Sequence, residues 1–294
     1  MRNFISDFNK LIKLRLTLTV VFSASICFLM GSRLQGDINW FNWMILTLGG
    51  FLVTGAANGF NEIIEKDLDK LMRRTMDRPI PSGKMTTGQA LVLSLIMGIS
   101  GTFLLVRLNF PTGVLAVFSI FLYAFVYTPM KRKSPIAVFI GAFPGALPPL
   151  IGYFAAFNEP QISWIPIILF LIQFVWQFPH FWAIAWVLDE DYKRAGFRLL
   201  PTTRQDGTSA LITLLSTIIL IPVSLMPTIY LMPSGYAFGG NVYSVIALIA
   251  GLYFAWQAAE LYKNKDVASA KKLMYTSFFY LPILQLTLLF DFIA

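Results

Sequence analysis

The sequence contains few charged residues, one cysteine and one histidine. Lysine, arginine, aspartate and glutamate make up 13% of its 294 residues, whereas hydrophobic residues make up 56%. Because soluble globular proteins carry about 25% charged residues, this composition excludes an ordinary soluble domain. The single cysteine, Cys27, excludes a disulfide framework within the chain. Its apolar surroundings indicate a small buried side chain.

Long apolar blocks occupy most of the chain. About nine of them approach the length of about 20 residues that a helix needs to cross a bilayer, and they show no period-two alternation. They cover approximately residues 16–31, 41–61, 87–106, 112–129, 135–157, 162–188, 209–232, 242–262 and 274–293. The sequence therefore predicts an all-α fold, a polytopic membrane bundle of about nine transmembrane helices that forms one domain over residues 1–294.

The basic residues predict how these helices are oriented. With nine spans, nearly all of the 23 lysine and arginine residues fall on one side, and only Arg33 and Arg107 fall on the other. The positive-inside rule then places the N-terminus in the cytoplasm and the C-terminus outside. A bacterial cytoplasmic (inner) membrane is the predicted location. Because the net charge of +8 follows from this sorting, it does not indicate a nucleic-acid partner.

Two long charged loops, near residues 61–86 and 189–208, follow the second and the sixth predicted span. Each places an aspartate before a group of basic residues and a proline, and the two loops lie one four-helix period apart. This similarity predicts pseudo-repeated four-helix halves with a ninth helix added. Bundles built in this way often carry their site between the halves.

The first loop begins with Asn61, Glu65 and Asp69, at positions i, i+4 and i+8. On a helix these three residues share one face. Asn61 and Glu65 continue an apolar span, where polar and ionisable groups are costly and usually functional. Oxygen ligands of this kind suit Mg²⁺, which shares its remaining positions with water and substrate phosphates. The alternative is a solvated loop whose charges only form salt bridges.

Basic residues follow the acidic ones. Arg74 and Arg78 offer planar guanidinium groups that match phosphate oxygens. Lys131 and Arg132, in the loop after the fourth predicted span, could contact the same phosphates or act only as topology determinants. Acidic side chains that can bind a metal lie next to basic side chains that can bind an anion. This combination predicts a site for a diphosphate–Mg²⁺ complex.

The second loop begins with Asp191, next to two further acids, and would supply a second cation site if it faced the first cluster. Juxtamembrane acids also occur without function.

Upstream in the sixth span lies His180, the only histidine, directly after Pro179. His180 is a candidate general base or ligand to a metal cofactor. The alternative is a structural histidine bonded to a neighbouring helix.

Taken together, these motifs resemble the UbiA superfamily of intramembrane prenyltransferases over nearly the whole chain. The superfamily pattern Asn-x-x-x-Asp-x-x-x-Asp reads Asn61, Glu65 and Asp69 here, with glutamate in place of one aspartate. Other matching stretches lie at residues 74–79, 127–132 and 141–152. The stretch from Pro179 to Trp182 before the second acidic motif is similar to the heme O synthase branch.

The resemblance implies an activity. A farnesyl group is moved from farnesyl diphosphate to a vinyl group of protoheme IX (heme B), which gives heme O and diphosphate. The resemblance also assigns roles to residues: Mg²⁺ to Asn61, Glu65, Asp69 and Asp191, diphosphate to Arg74, Arg78, Lys131 and Arg132, and heme to His180. Besides the lipid bilayer, the implied partners are a downstream heme-modifying enzyme or a terminal oxidase assembly.

Two other functions are open at this point. The same scaffold could prenylate an aromatic acceptor such as 4-hydroxybenzoate, and only residues 179–182 favour heme. A transporter of an anionic solute would share the repeat and the buried charges. Transporters place such charges near the middle of the membrane, whereas the acids here cluster at one mouth of the bundle, which favours an enzyme.

Overall fold

The structure is a computed structural model that describes residues 2–160, 163–232, 235 and 237–292. In these residues, nine helices are long and apolar enough to cross a membrane, and we number them as the first to the ninth span. They are Leu14–Gln35, Trp40–Asp69, Thr87–Leu108, Phe110–Met130, Ile136–Ala155, Trp164–Val187, Gly207–Ile229, Asn241–Asn264 and Val267–Phe290. The predicted all-α bundle of about nine membrane helices is confirmed.

In the part of the chain that the structure describes, two short helices lie outside the spans. The first, Arg2–Leu11, precedes the first span, and the second, Asp189–Ala195, follows the sixth span. The break between the N-terminal helix and the first span falls at Lys13, whose backbone is left-handed with a φ of 49°. This conformation is uncommon for a residue with a β-carbon, so the surrounding contacts must hold it.

Polar side chains fix where several spans begin. The residue before the helix accepts a hydrogen bond from a backbone N–H of the first turn in five spans; these residues are Asn39, Thr86, Asn109, Asp206 and Asp266. Each such cap stabilises a helix by about 1 kcal/mol. The caps therefore end the loops at defined positions, which is what a site built from loop residues requires.

Corresponding spans of the two halves pack in the same order. The first four spans pack each against the next, and the fifth to eighth spans do likewise. The first and fifth spans pack against each other between the halves. This arrangement agrees with the predicted pseudo-repeat of four-helix units.

The ninth span is tied into the bundle by buried amide groups. Gln285 Nε2 donates to Ser23 Oγ over 2.7 Å, and Ser23 Oγ donates to Gln173 Oε1 over 2.8 Å. These bonds join the ninth, first and sixth spans where lipid offers no alternative partner. The ninth span is therefore in a position to contribute to a site inside the bundle.

Candidate active site

The second span carries the first acidic cluster. It continues as a helix to Asp69, well beyond the end of its apolar run, so that Asn61, Glu65 and Asp69 share one helical face. All three side chains are buried, and Asn61 and Asp69 have no exposed surface. Acids buried this deeply are costly to keep charged unless other groups pair with them.

A separate basic residue contacts each member of this face. The contacts are Lys13 Nζ to Asn61 Oδ1 at 2.6 Å, Lys131 Nζ to Glu65 Oε1 at 2.8 Å and Arg78 Nη1 to Asp69 Oδ2 at 2.7 Å. Arg78–Asp69 and Lys131–Glu65 are ion pairs, and removing one partner of a buried ion pair typically costs about 3–5 kcal/mol. The three cations come from three different parts of the chain, so the fold as a whole assembles the cluster.

Lys13 is one of the basic residues on the predicted cytoplasmic side, and the sequence alone assigns it no further role. Its left-handed backbone lies where the N-terminal helix meets the first span, and its amine also lies 5.9 Å from the centre of the Tyr123 ring. Burial, together with the nearby Arg78 and Lys131 cations, holds the pKa of Lys13 well below its usual value. An anion placed beside these cations would favour the charged form of the amine.

A π-helical turn in the fourth span faces this cluster. Residues Phe121–Tyr127 form the turn, a feature that is frequent at functional sites. Asn61 Nδ2 donates to Thr128 Oγ1 over 2.9 Å directly after it. On the other side, the fifth span approaches so closely that a β-carbon on Gly141 would lie 2.7 Å from the Tyr127 ring. Only glycine at this position allows that approach.

Lys131 joins the two halves of the site. Besides Glu65, its amine lies 4.8 Å from the centre of the Tyr127 ring and 5.5 Å from that of Phe197, which follows the second acidic motif. Burial alone favours the neutral amine, but the Glu65 carboxylate holds the pKa of Lys131 above its usual value. Arg132, by contrast, is exposed and forms no ion pair with the residues that the structure describes.

The second acidic motif meets the loop of the first. Asp191 Oδ1 accepts from the Arg73 backbone N–H over 3.3 Å, and Oδ2 accepts from that of Arg74 over 3.2 Å. The Arg74 guanidinium donates to Tyr192 Oη over 3.4 Å. Asp191 therefore shapes the turn that carries the arginines. The sequence assigns Tyr192 no role of its own, because no local pattern predicts a contact with a residue 118 positions away.

Two carboxylate oxygens in this region are available to bind a cation such as Mg²⁺. Asp69 Oδ1 and Glu62 Oε2 are buried without a hydrogen-bond partner in the described part of the chain. Glu62, which sequence reasoning passed over, accepts the Ile80 backbone N–H over 3.1 Å through its other oxygen. Among the described residues, no three His, Cys, Asp or Glu side chains form a metal-binding group by themselves. The donors thus suit an ion whose shell is completed by water and phosphate oxygens.

His180 lies in the sixth span, about two turns before its end. Its ring stacks on Trp176 with centroids 4.3 Å apart, and its Nδ1 lies 2.7 Å from Ser277 Oγ of the ninth span. The adjacent Phe181 ring lies 6.5 Å from the Tyr127 ring, which in turn contacts Lys131. A line of aromatic contacts therefore connects the histidine with the acidic cluster.

Comparisons with known proteins give concordant results. A model described as the UbiA prenyltransferase family matches residues 20–282. The chain is 46% identical over 288 residues to a protein from Cytophaga hutchinsonii named protoheme IX farnesyltransferase, with 96% of each chain covered.

Two solved structures share the fold. One concerns digeranylgeranylglyceryl phosphate synthase and has a TM-score of 0.80 at 21% identity, with 99% of each chain covered. The other is a UbiA homolog from Archaeoglobus fulgidus bound to GPP and Mg²⁺. It has a TM-score of 0.58 at 12% identity and covers 96% of this chain and 99% of that one.

Proposed function

Because this chain belongs to the UbiA prenyltransferase family, we propose that it transfers a farnesyl group from farnesyl diphosphate to a vinyl group of protoheme IX. The allylic carbon–oxygen bond of the donor breaks, a carbon–carbon bond forms at the vinyl group, and water adds. The products are a hydroxyethylfarnesyl heme, diphosphate and a proton. The observation that carries the proposal is the buried acidic face, which cations from three separate segments of the chain contact and which aromatic rings connect to His180.

The diphosphate end of the donor would lie among Lys13, Arg74, Arg78 and Lys131. Three of these cations already contact the acidic face, so the diphosphate oxygens would find donors that are held in place. Such fixed donors stabilise the charge that develops as the carbon–oxygen bond breaks. Arg132 would contribute less, since it is exposed.

Asn61, Glu65, Asp69 and Asp191 would hold Mg²⁺, with Glu62 beside them. When bound, Mg²⁺ neutralises the negative charge that grows on the leaving diphosphate. The oxygen-only donor set and the unpartnered Asp69 Oδ1 support this assignment. The likeness of fold to a homolog that binds GPP and Mg²⁺ agrees with it.

The farnesyl chain would lie in the apolar interior, where water that would quench an allylic cation is scarce. The rings of Tyr127 and Phe181, between Lys131 and His180, would face the cation. His180 would bind or orient the heme. In this arrangement residues 1–294 act as one prenyltransferase domain.

The proposal extends to the location of the site. The acidic cluster and nearly all basic residues would face the cytoplasm of a bacterial cell, with the bundle in the inner membrane and the C-terminus outside. Farnesyl diphosphate, a soluble anion with a lipid-soluble tail, could then enter from the cytoplasmic side. A downstream heme-modifying enzyme or an oxidase assembly factor would receive the product.

Replacing Lys13 with methionine tests its place in the diphosphate site. We expect the KM for farnesyl diphosphate to rise by about tenfold to a hundredfold, because one charge-assisted contact contributes about 1.5–3 kcal/mol. Lys10→Met is the matched control, since Lys10 lies one helical turn earlier and is exposed. Kinetics at varied donor concentration would refute this role if both variants had the same KM.

Replacing His180 with alanine separates the two substrates. We expect heme affinity to fall at least tenfold, while the affinity for farnesyl diphosphate changes by less than about threefold, because His180 lies away from the ion-paired face. Equilibrium titrations with each substrate measure both values. A variant that lost only diphosphate affinity would contradict the assigned role.

Acceptor choice tests the function itself. Purified protein in detergent would receive Mg²⁺, labelled farnesyl diphosphate, reduced heme and 4-hydroxybenzoate in one reaction. We expect the label in heme. Label in the aromatic acid alone would agree with prenyl transfer by this family but would reject heme as the acceptor.

A further inference from the structure

The protons around His180 can be assigned from the contacts of Ser277. The Ser277 hydroxyl lies 2.6 Å from the Met274 carbonyl oxygen, one turn earlier on the ninth span. A carbonyl oxygen can only accept, so the hydroxyl proton points to Met274, a common arrangement for serine in helices. The same Oγ lies 2.7 Å from His180 Nδ1. With its proton already used, Oγ accepts at this contact, and Nδ1 must carry the hydrogen.

The other ring nitrogen is therefore free to accept. Neutral imidazole has one N–H and one lone pair, so hydrogen on Nδ1 leaves the lone pair on Nε2. Nε2 has no hydrogen-bond partner in the described part of the chain. Nε2 is not fully buried, and the ring as a whole is partly exposed. A ligand that enters this part of the bundle can reach it.

The ring is also fixed in direction. Trp176 stacks on one of its faces, with planes 19° apart, and Trp176 Nε1 donates to the Ser277 backbone carbonyl over 3.0 Å. Phe278 lies edge-on at 5.4 Å between centroids. Ser277 is thus held by two bonds to the sixth span, and its side chain is fully buried. A histidine that binds a metal through one ring nitrogen is commonly oriented by a hydrogen bond from its other ring nitrogen.

We propose that Ser277 is a positioning residue that holds His180 with hydrogen on Nδ1 and directs the Nε2 lone pair to the iron of the heme acceptor. This rests on the proposed function, in which His180 handles heme. The proposal gives the ninth span a role in acceptor binding that is independent of the acidic face.

Three substitutions at Ser277 test the proposal. Ser277→Thr keeps the hydroxyl, Ser277→Val replaces it with a methyl group of similar size, and Ser277→Ala removes it without adding bulk. Heme is titrated into each purified protein and followed by its absorption spectrum, with farnesyl diphosphate affinity as the control. We expect Val and Ala to weaken heme binding by about tenfold to a hundredfold and to shift the spectrum away from the histidine-ligated form. Thr is expected to stay close to the original protein.

A double substitution locates the effect. In a His180→Ala background, Ser277→Ala should cause no further loss of heme affinity, because its effect passes through the histidine. Equal spectra and affinities for the original protein, Ser277→Thr and Ser277→Ala would overturn the positioning role, even if the original protein farnesylates heme. Failure of the original protein to farnesylate heme would instead reject the underlying function, and the two failures are therefore distinguishable.

Discussion

Replacing Asp69 with asparagine is expected to lower the rate of farnesyl transfer by about a thousandfold or more while the protein still inserts into the membrane. The amide keeps the size of the side chain but removes the charge that pairs with Arg78 and that would hold Mg²⁺. Loss of one fixed electrostatic contact to the developing charge typically lowers the rate by about a hundredfold to a thousandfold, and a metal position is lost as well. Single-turnover kinetics with saturating donor measure the effect.

The same helix offers a matched control two residues away. The Asp67 side chain is 72% exposed, and its one ion pair among the described residues is with Lys70, which is also exposed. Surface pairs of this kind contribute about 0–1 kcal/mol, so Asp67→Asn should leave the rate within about twofold. If Asp69→Asn kept near-normal activity, or if both variants lost activity equally, the metal-binding role assigned to Asp69 would be wrong.

Lys131→Met is expected to give the second largest loss, again about a thousandfold in kcat/KM. Lys131 is the cation that links Glu65 on the second span with Phe197 beside the second acidic motif, and methionine keeps much of its length without the charge. Lys133→Met, two residues on, removes an exposed cation and should change kcat/KM by less than about threefold. Similar losses in the two variants would assign the effect to loop charge in general.

Stability must be separated from catalysis in this variant. Lys131→Met leaves Glu65 buried without its partner, which typically costs about 3–5 kcal/mol. Glu65→Gln combined with Lys131→Met removes both charges and should recover most of the lost thermal stability. Activity should remain lost, because neither group needed for the diphosphate complex is restored. Recovery of activity together with stability would show that the pair is structural only.

The sequence predicted the parts of this molecule that depend on local pattern. Nine apolar blocks became nine spans in the described residues because lipid leaves a helix as the main way to satisfy the backbone. The spacing of Asn61, Glu65 and Asp69 predicted a shared face because a helix repeats every 3.6 residues. The second span nevertheless extends past its predicted end at residue 61, since cations from elsewhere stabilise its acidic end.

The features that the sequence did not predict depend on contacts between residues that are far apart in the chain. Lys13 and Asn61 are 48 residues apart, and His180 and Ser277 are 97 apart. No periodicity links such pairs, and a lysine in a basic N-terminal segment is explained by topology alone. The π-helical turn at Phe121–Tyr127 has no hydropathy signal. Arg132 and Lys131 are neighbours in sequence, yet only the structure separates the exposed cation from the buried one.

Mass spectrometry of the extracted heme tests the central claim most directly. Purified protein in detergent is incubated with Mg²⁺, farnesyl diphosphate and reduced heme, with a parallel sample that contains a chelator. We predict a heme that has gained a farnesyl group and one water, formed only when Mg²⁺ is present. An unmodified heme in both samples, with protein that binds both substrates, would contradict the account.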